Sequence, residues 1–338
     1  MKKSIYDAVE NEIMKSDLSE DEKDVRMSKL KNAREQKINI LLVGATGSGK
    51  SSTINSIFDT SVAKVGVGVA PETSEIECYE LDNLTIWDTP GLGDSVEGDK
   101  EISERVASKL LETDEDGVPI IDIVLVVVDA SSKDLGTTYE LINNVLIPNL
   151  TPVGNSFFSR FFAGSTDRII IALNQADMAM KGKHWDSENN CPDEVLKNFL
   201  EEKCQSMEER ISDSTGVDFD IMYYCAGYTE DDGTQKPAYN LTKLLYKIVL
   251  SLPAQKRIAI AENLNDDEDM WKYDDEEEDY NEEIAKSFTE TVWDNVSEFA
   301  DKGIVFGGTV LGMPGAIVGA VACGAVGAVV GVFKAMLK

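Results

Sequence analysis

At 338 residues, with 62 acidic against 32 basic side chains and a net charge of -30, the chain can bury one sizeable core and still carry extensions. That charge repels nucleic acid and anionic headgroups at long range, which argues against RNA or DNA as a partner. The five cysteines, Cys78, Cys191, Cys204, Cys225 and Cys323, include no C-x-x-C pair, so neither a disulfide framework nor a zinc site is suggested and a reducing cytosol fits.

In chain order, residues 1–37 are charged, and Lys2 and Lys3 are followed by no apolar stretch, so no secretory signal is expected there. Ile5, Val9 and Ile13 recur at helical spacing, with Val25 and Leu30 further on, which predicts one or two amphipathic helices lying on the main domain. From 38 to about 255 short apolar runs alternate with amphipathic stretches, the pattern of an α/β fold with a mostly parallel, doubly wound sheet. Strands are expected at Ile38–Val43, Glu75–Leu81, Leu84–Asp88, Ile123–Asp129, Arg168–Asn174 and Asp220–Cys225. Helices are expected near 50–58, 100–112, 135–146, 193–213 and 239–250. Residues 256–285 read as an acidic linker: 266–283 hold twelve Asp or Glu and one lysine, a composition expected to remain a solvated spacer. Phe288, Val292, Val296 and Phe299 then recur at helical spacing. Residues 303–333 follow without one charge, so 286–338 reads as a helix and a glycine-rich apolar tail.

Chemistry enters at Gly44-Ala45-Thr46-Gly47-Ser48-Gly49-Lys50-Ser51, which matches G-x-x-x-x-G-K-[ST] directly after a strand-like run and before a helical one. Glycines let the backbone curl so that N–H groups converge on phosphate oxygens, and the helix N-terminus adds partial positive charge. Lys50 is expected to bridge the β- and γ-phosphates, Ser51 to ligate Mg²⁺, and Ser52 to line the same site. Asp88-Thr89-Pro90-Gly91, at the end of the Leu84–Trp87 strand, supplies an acid that can hold the cation through water and a glycine N–H for the γ-phosphate. Between them the glycine-rich loop Val65–Thr73 offers Thr73 to complete the metal shell, with Thr60 and Ser74 as alternatives. Lys50, Thr73 and Gly91 are the candidate catalytic groups.

Asn174-Gln175-Ala176-Asp177, at a strand C-terminus, resembles the N-K-x-D guanine motif of the Ras-like and Era-like GTPases. The Asp177 carboxylate can accept from the guanine N1–H and exocyclic amine, and Asn174 can tie this loop to the phosphate loop. Gln175 replaces the usual lysine, which weakens packing over the base. Cys225-Ala226-Gly227 resembles the S-A-x motif, whose backbone N–H contacts the guanine oxygen. As a set these motifs make residues 38–255 resemble the Era-related branch of the translation-factor-class P-loop GTPases. Met178–Asp186 is similar to the bacterial YfjP-like predicted GTPases. The resemblance implies GTP and GDP as ligands, Mg²⁺ as cofactor and GTP hydrolysis. Leu92, however, occupies the position where small GTPases often carry a water-orienting glutamine, so hydrolysis without a partner is expected to be slow. His184, the only histidine, is expected to serve packing or the surface.

As one helix the apolar run 303–333 would reach about 46 Å, more than the ~30 Å of a bilayer's hydrocarbon core. Its nine glycines and Pro314 leave three readings: a single span over 314–333, a hairpin bent near Gly312–Gly315, or a hairpin packed on the protein. Gly315, Gly319, Cys323, Gly327 and Gly331 share one small-residue register suited to self-association. Two functions compete. One is a GTPase switch with a cytoplasmic G domain held at a membrane, or through homo-oligomers, by this tail. The other is a non-hydrolysing GTP-binding scaffold or stress or defence effector, soluble in the cytoplasm.

Overall fold

Two helices lead into the sheet. The computed structural model describes residues 5–16, 18–58, 76–93, 95–150, 165–229, 235–265 and 267–289. Thr60, the loop 65–73 with Thr73, Ser74, Val292, Val296, Phe299 and the run 303–333 lie outside the described residues. Helices α1 (Ile5–Lys15) and α2 (Glu20–Glu35) are separated by Ser19, whose side chain and that of Glu22 satisfy each other's backbone N–H groups as a capping box. Val9, Ile13, Leu30 and Ala33 are buried, whereas Val25 is 54% exposed, so the apolar face is narrower than the sequence pattern implied.

The sheet order among the described residues is β2-β3-β1-β4-β5-β8, from β1 (Ile38–Val43), β2 (Glu77–Glu80), β3 (Leu84–Asp88), β4 (Ile123–Asp129), β5 (Ile169–Asn174) and β8 (Met222–Tyr223). All pairings are parallel except β2 against β3, where Glu77 stands opposite Asp88. This is the α/β fold with a mostly parallel, doubly wound sheet that the sequence predicts. The chain leaves β1 for β3 on one side and β4 on the other, which opens a crevice at the carboxyl end of β1.

Period-two alternation explains the two layers. Ile38, Ile40 and Leu42 join one apolar cluster, closed by α1, α2, α3 (Lys50–Phe58), α8 (Leu241–Ser251), α9 (Ala254–Ala261) and α10 (Tyr280–Thr289). Leu41 and Val43 join the other, closed by α4 (Val96–Leu110), α5 (Gly136–Leu141), α6 (Ile147–Leu150) and α7 (Glu194–Thr215). A π-helical turn, Ile142–Leu146, joins α5 to α6, carrying the expected 135–146 helix on to Leu150. Helix α4 starts earlier than predicted because the Ser95 hydroxyl accepts from the Gly98 N–H at 3.0 Å. The strand predicted over Asp220–Cys225 contracts to Met222–Tyr223. Cys225 instead exchanges backbone hydrogen bonds with Tyr239, at 2.9 and 3.0 Å, which turns the chain off the sheet.

The acidic stretch corrects the expectation of a solvated spacer. Met270, Trp271, Tyr280, Ile284, Ala285 and Phe288 are all buried, and the Trp271 indole N–H donates to the Asn265 carbonyl at 3.0 Å. Asp275 is paired with Lys243 of α8 at 2.7 Å and accepts from the Tyr280 hydroxyl at 2.7 Å, while Glu276 to Asp279 stay exposed. Charge density concealed an apolar face that the charges themselves do not occupy. Two small hairpins complete the description: β6 (Trp185–Asp186) with β7 (Cys191–Pro192), and β9 (Tyr228–Thr229) with β10 (Gln235–Lys236).

Candidate nucleotide-binding site

The loop Gly44–Gly49 leaves β1 at the crevice and runs into α3. Its first half is pinned to the segment after β3: the Thr46 N–H donates to the Leu92 carbonyl at 2.9 Å, and the Leu92 N–H to the Gly44 carbonyl at 3.2 Å. Gly91 has to be glycine here, because a Cβ would collide with the backbone of Thr46. Lys50, 8% exposed, donates from Nζ to the Gly44 and Ala45 carbonyls at 3.2 Å each. Its ammonium therefore sits in the mouth of the loop, among the N–H groups that a phosphate would meet.

Ser51, at the start of α3, donates its hydroxyl to Asp88 Oδ2 at 3.0 Å. Asp88 is 2% exposed. Burial pushes its carboxyl above the usual carboxylate range, with Lys50 and Ser51 opposing that shift. Asp88 Oδ1 and Ser48 Oγ are buried with no hydrogen-bond partner among the described residues. A buried acceptor without a donor is costly, and a cation beside Asp88 would satisfy one. The pair Ser51 and Asp88 thus fits Mg²⁺. Among the described residues no three His, Cys, Asp or Glu converge on a metal, and the oxygen donors of Ser51 and Asp88 are of the kind that small hard ion prefers.

The other half of the site hangs on Asn174, 2% exposed at the end of β5. Its Nδ2 donates to the Ser48 carbonyl at 3.0 Å and its Oδ1 accepts from the Ala226 N–H at 2.9 Å. One amide thereby ties the phosphate loop to the Cys225–Ala226 turn. Gly49, at φ +90°, presses against that amide so closely that any Cβ would overlap Asn174 Nδ2. Ala226 differs from the expectation drawn from the S-A-x resemblance. Its buried N–H is taken by Asn174, so it braces the turn rather than pointing at a guanine oxygen. Gln175 adopts a left-handed conformation, φ 61°, and donates Nε2 to the Gly47 carbonyl at 2.7 Å, a second strap across the two loops. Asp177 is held by Cys225: its N–H donates to Sγ, and the thiol donates to Oδ1, both at 3.3 Å. Burial, reinforced by the Asp177 charge, pushes the Cys225 thiol well up and keeps it protonated. Thr53 and the buried Tyr224 share a hydrogen bond at 2.6 Å, fixing α3 to the end of β8.

A cleft of about 540 Å³ opens beside Asp177, large enough for a small ligand. It brings together Gly49, Ser52, Asn174, Gln175, Asp177, Cys225 and Ala226 from the sequence prediction. The phosphate-loop residues Gly44 to Ser48, with Lys50, Ser51, Asp88 and Gly91, lie apart from its lining, around the β1 and β3 ends. Sequence reasoning missed Met178, Trp185, Asn190 and Tyr228, which also line the cleft. They fall in a 3-10 segment, a turn and two-residue strands too short to show a periodicity; only the proximity of Met178 and Trp185 to the 174–177 motif could have pointed there. His184 pairs with Asp193, the N-cap of α7, at 2.8 Å, a duty in packing.

The sheet order, the loop after β1 and the helix it feeds are those of a P-loop G domain. Residues 38–145 match the AIG1 family. Translocase of chloroplast 108 and translocase of chloroplast 101 from Physcomitrium patens are 35% and 34% identical over 101 residues. That stretch is 29% of this chain and 10% and 11% of theirs, so the chain spans about a tenth of the length of these curated relatives. Among solved structures, a probable GTP-binding protein EngB aligns at 20% identity over 63% of this chain and 97% of its own, with a TM-score of 0.34. Toc33 from Arabidopsis thaliana in complex with Mg²⁺ and GMPPNP aligns at 14% identity over 66% and 87%, with a TM-score of 0.39. Era from Aquifex aeolicus bound to GDP·AlF4⁻ aligns at 16% identity over 64% and 57%, with a TM-score of 0.38.

Proposed function

We propose that the chain binds guanine nucleotide with Mg²⁺, hydrolyses GTP slowly when unaided, and acts as a nucleotide-dependent switch. The observation that carries this reading is the pair of hydrogen bonds made by Asn174, which ties the Ser48 carbonyl of the phosphate loop to the Ala226 turn beside the cleft that Asp177 and Cys225 line. In this reading Lys50 and the N–H groups of Gly44 to Ser52 take the phosphates, and Gly91 offers its N–H to the γ-phosphate. Ser51, Asp88 and Thr73 hold Mg²⁺. The cation supplies neutralisation of charge between the β- and γ-phosphates. Asp177 accepts the N1–H and exocyclic amine of guanine, a pair of donors that adenine lacks. A site built to hydrogen-bond such donors discriminates on the order of 10⁴-fold.

Leu92 is 2% exposed and packed among apolar residues, so the position after Gly91 offers no group to orient water. Turnover on the order of 10⁻⁴ s⁻¹, that of an unassisted small GTPase, is expected unless a partner or a second copy supplies one. The same burial favours a second reading, a GTP-binding scaffold that scarcely hydrolyses. Calorimetry with GDP and ADP in Mg²⁺ buffer, beside phosphate release from GTP, tests both. Equal affinity for the two nucleotides sinks the guanine assignment, turnover of several per second sinks the slow switch, and no phosphate release at all leaves the scaffold.

Membrane attachment through 303–333, with the G domain in the cytoplasm, and self-association through the Gly315–Gly331 register complete the proposal. Among the described residues no helix is long and apolar enough to cross a membrane. Fractionation of the full chain against residues 1–302, each with GDP or a GTP analogue, tests the tail: equal partition of the two forms would remove it from the reading. The finer kinship to the YfjP-like GTPases rests on Met178–Asp186 alone.

A further inference from the structure

The guanine-facing cleft has an aromatic wall that the motifs do not account for. Gln175 stands where the resemblance implies a lysine lying over the base, and its amide is committed to the Gly47 carbonyl at 2.7 Å. Cover for a purine must come from another part of the lining. We propose that Trp185 is that cover: a base-contacting residue whose indole packs against the purine of a bound guanine nucleotide. The inference rests on the guanine-nucleotide reading above and names a contact that reading lacks.

Three independent features place Trp185 in this role. It lines the same cleft as Gln175, Asp177 and Ala226. Its ring is braced from behind, at 87° to the ring of Tyr239 with centroids 5.5 Å apart, and Tyr239 is 4% exposed. Tyr239 is in turn bonded through both backbone groups to Cys225, at 2.9 and 3.0 Å. The indole is thereby linked through Tyr239 to the Cys225 that holds Asp177. The third feature is the cost of the loop that carries it. Met180, Lys181, His184 and Asn190 have φ of 52°, 64°, 71° and 49°, conformations that side-chain-bearing residues rarely adopt. Strain of this sort persists where surrounding contacts over-determine it. Here Asn190, 8% exposed, donates to the Ala238 carbonyl at 2.9 Å, and the His184 carbonyl accepts from the Asp193 N–H at 2.8 Å.

An aromatic face is indifferent to which base lies on it, whereas Asp177 is not. The two residues should therefore separate in binding. In the full chain with Mg²⁺, Trp185→Ala is expected to raise the Kd for GDP about tenfold and the Kd for ADP by the same factor, leaving their ratio intact. Asp177→Ala should collapse the ratio. Trp185→Phe keeps an aromatic face and should bind GDP within about threefold of the native chain. It should also abolish the tryptophan emission change that GDP produces in the native chain. An unchanged Kd in folded Trp185→Ala overturns the inference, and so does a GDP-induced emission change that survives in Trp185→Phe, which does not depend on the alanine variant folding. If the native chain binds GDP no better than ADP, the guanine reading falls instead. If it binds neither, both fall.

Discussion

Asp88, a proposed Mg²⁺ ligand, shows how a candidate site residue weakens the fold that holds it. Its carboxyl is raised above the ordinary range chiefly by burial, and Lys50 and Ser51 offset only part of that shift. A carboxyl with a raised folded pKa costs stability while ionised. The cost is full above the folded pKa and is relieved as pH falls through it toward the unfolded value. Asp88→Asn should therefore stabilise the nucleotide-free protein at pH 7 by about 1 kcal/mol, in the usual trade of stability against function. The gain should shrink on acidification, and the Mg²⁺ dependence of nucleotide binding should be lost; thermal melts at several pH values with and without Mg²⁺ check both. Leu92 gives the complementary case. At 2% exposure, Leu92→Gln would bury an amide rather than present it to the site. It should cost about 1–3 kcal/mol without raising GTP turnover, as read by denaturant titration and phosphate release.

Among the elements, the C-terminal acidic segment separates what patterning can reveal from what it cannot. A run with twelve carboxylates in eighteen positions, 266–283, offers no clean helical period. Yet Trp271, 1% exposed, is among the largest fully buried side chains among the described residues. Burial raises the Asp275 carboxyl, but Lys243 and Tyr280 more than offset it and hold it below the ordinary range. That contribution is present above the unfolded pKa and fades as pH falls through the folded one. Trp271→Ala should cost about 3–5 kcal/mol in denaturant titrations, where a solvated spacer would show no change. By contrast, β1, β3 and β4 were readable residue for residue: β1 and β4 are apolar runs buried at almost every position, and β3 alternates buried Leu84, Ile86 and Asp88 with half-buried Thr85 and Trp87. Strand β8 was overestimated since its last residues pair with Tyr239, which lies beyond it in the chain.

Across the whole molecule, α9 is fastened to the lower end of the sheet by a buried charge cluster that joins residues 134 positions apart. Asp122, 4% exposed, meets Lys256 at 2.7 Å and accepts from the Asn39 N–H at 2.9 Å. The Arg168 guanidinium donates Nε to the Asp122 carbonyl at 3.0 Å. Removing Lys256 leaves the buried Asp122 carboxylate with only the Asn39 N–H and the nearby Arg168 charge to offset its burial, so Lys256→Met should cost about 3 kcal/mol. Most of that loss should vanish in the double variant Lys256→Met with Asp122→Asn, a pair of measurements that chemical denaturation provides. The cluster lies at the end of the sheet away from the nucleotide cleft, so nucleotide affinity should follow global stability and nothing else.

By itself the sequence determined the α/β alternation and the loop motif between a strand and a helix, and it singled out Lys50, Ser51, Asp88, Asn174 and Asp177 as the candidates for the proposed site. These are local facts, since phosphate and guanine chemistry demand particular residue types within a few positions of a strand end. Only the tertiary structure decided that the Ala226 N–H belongs to Asn174, that Gln175 straps one loop to the other, that an acidic tail segment is core, and that Trp185 lines the cleft. Each depends on two segments far apart in the chain meeting at hydrogen-bond or van der Waals range. No spacing within either segment encodes that meeting.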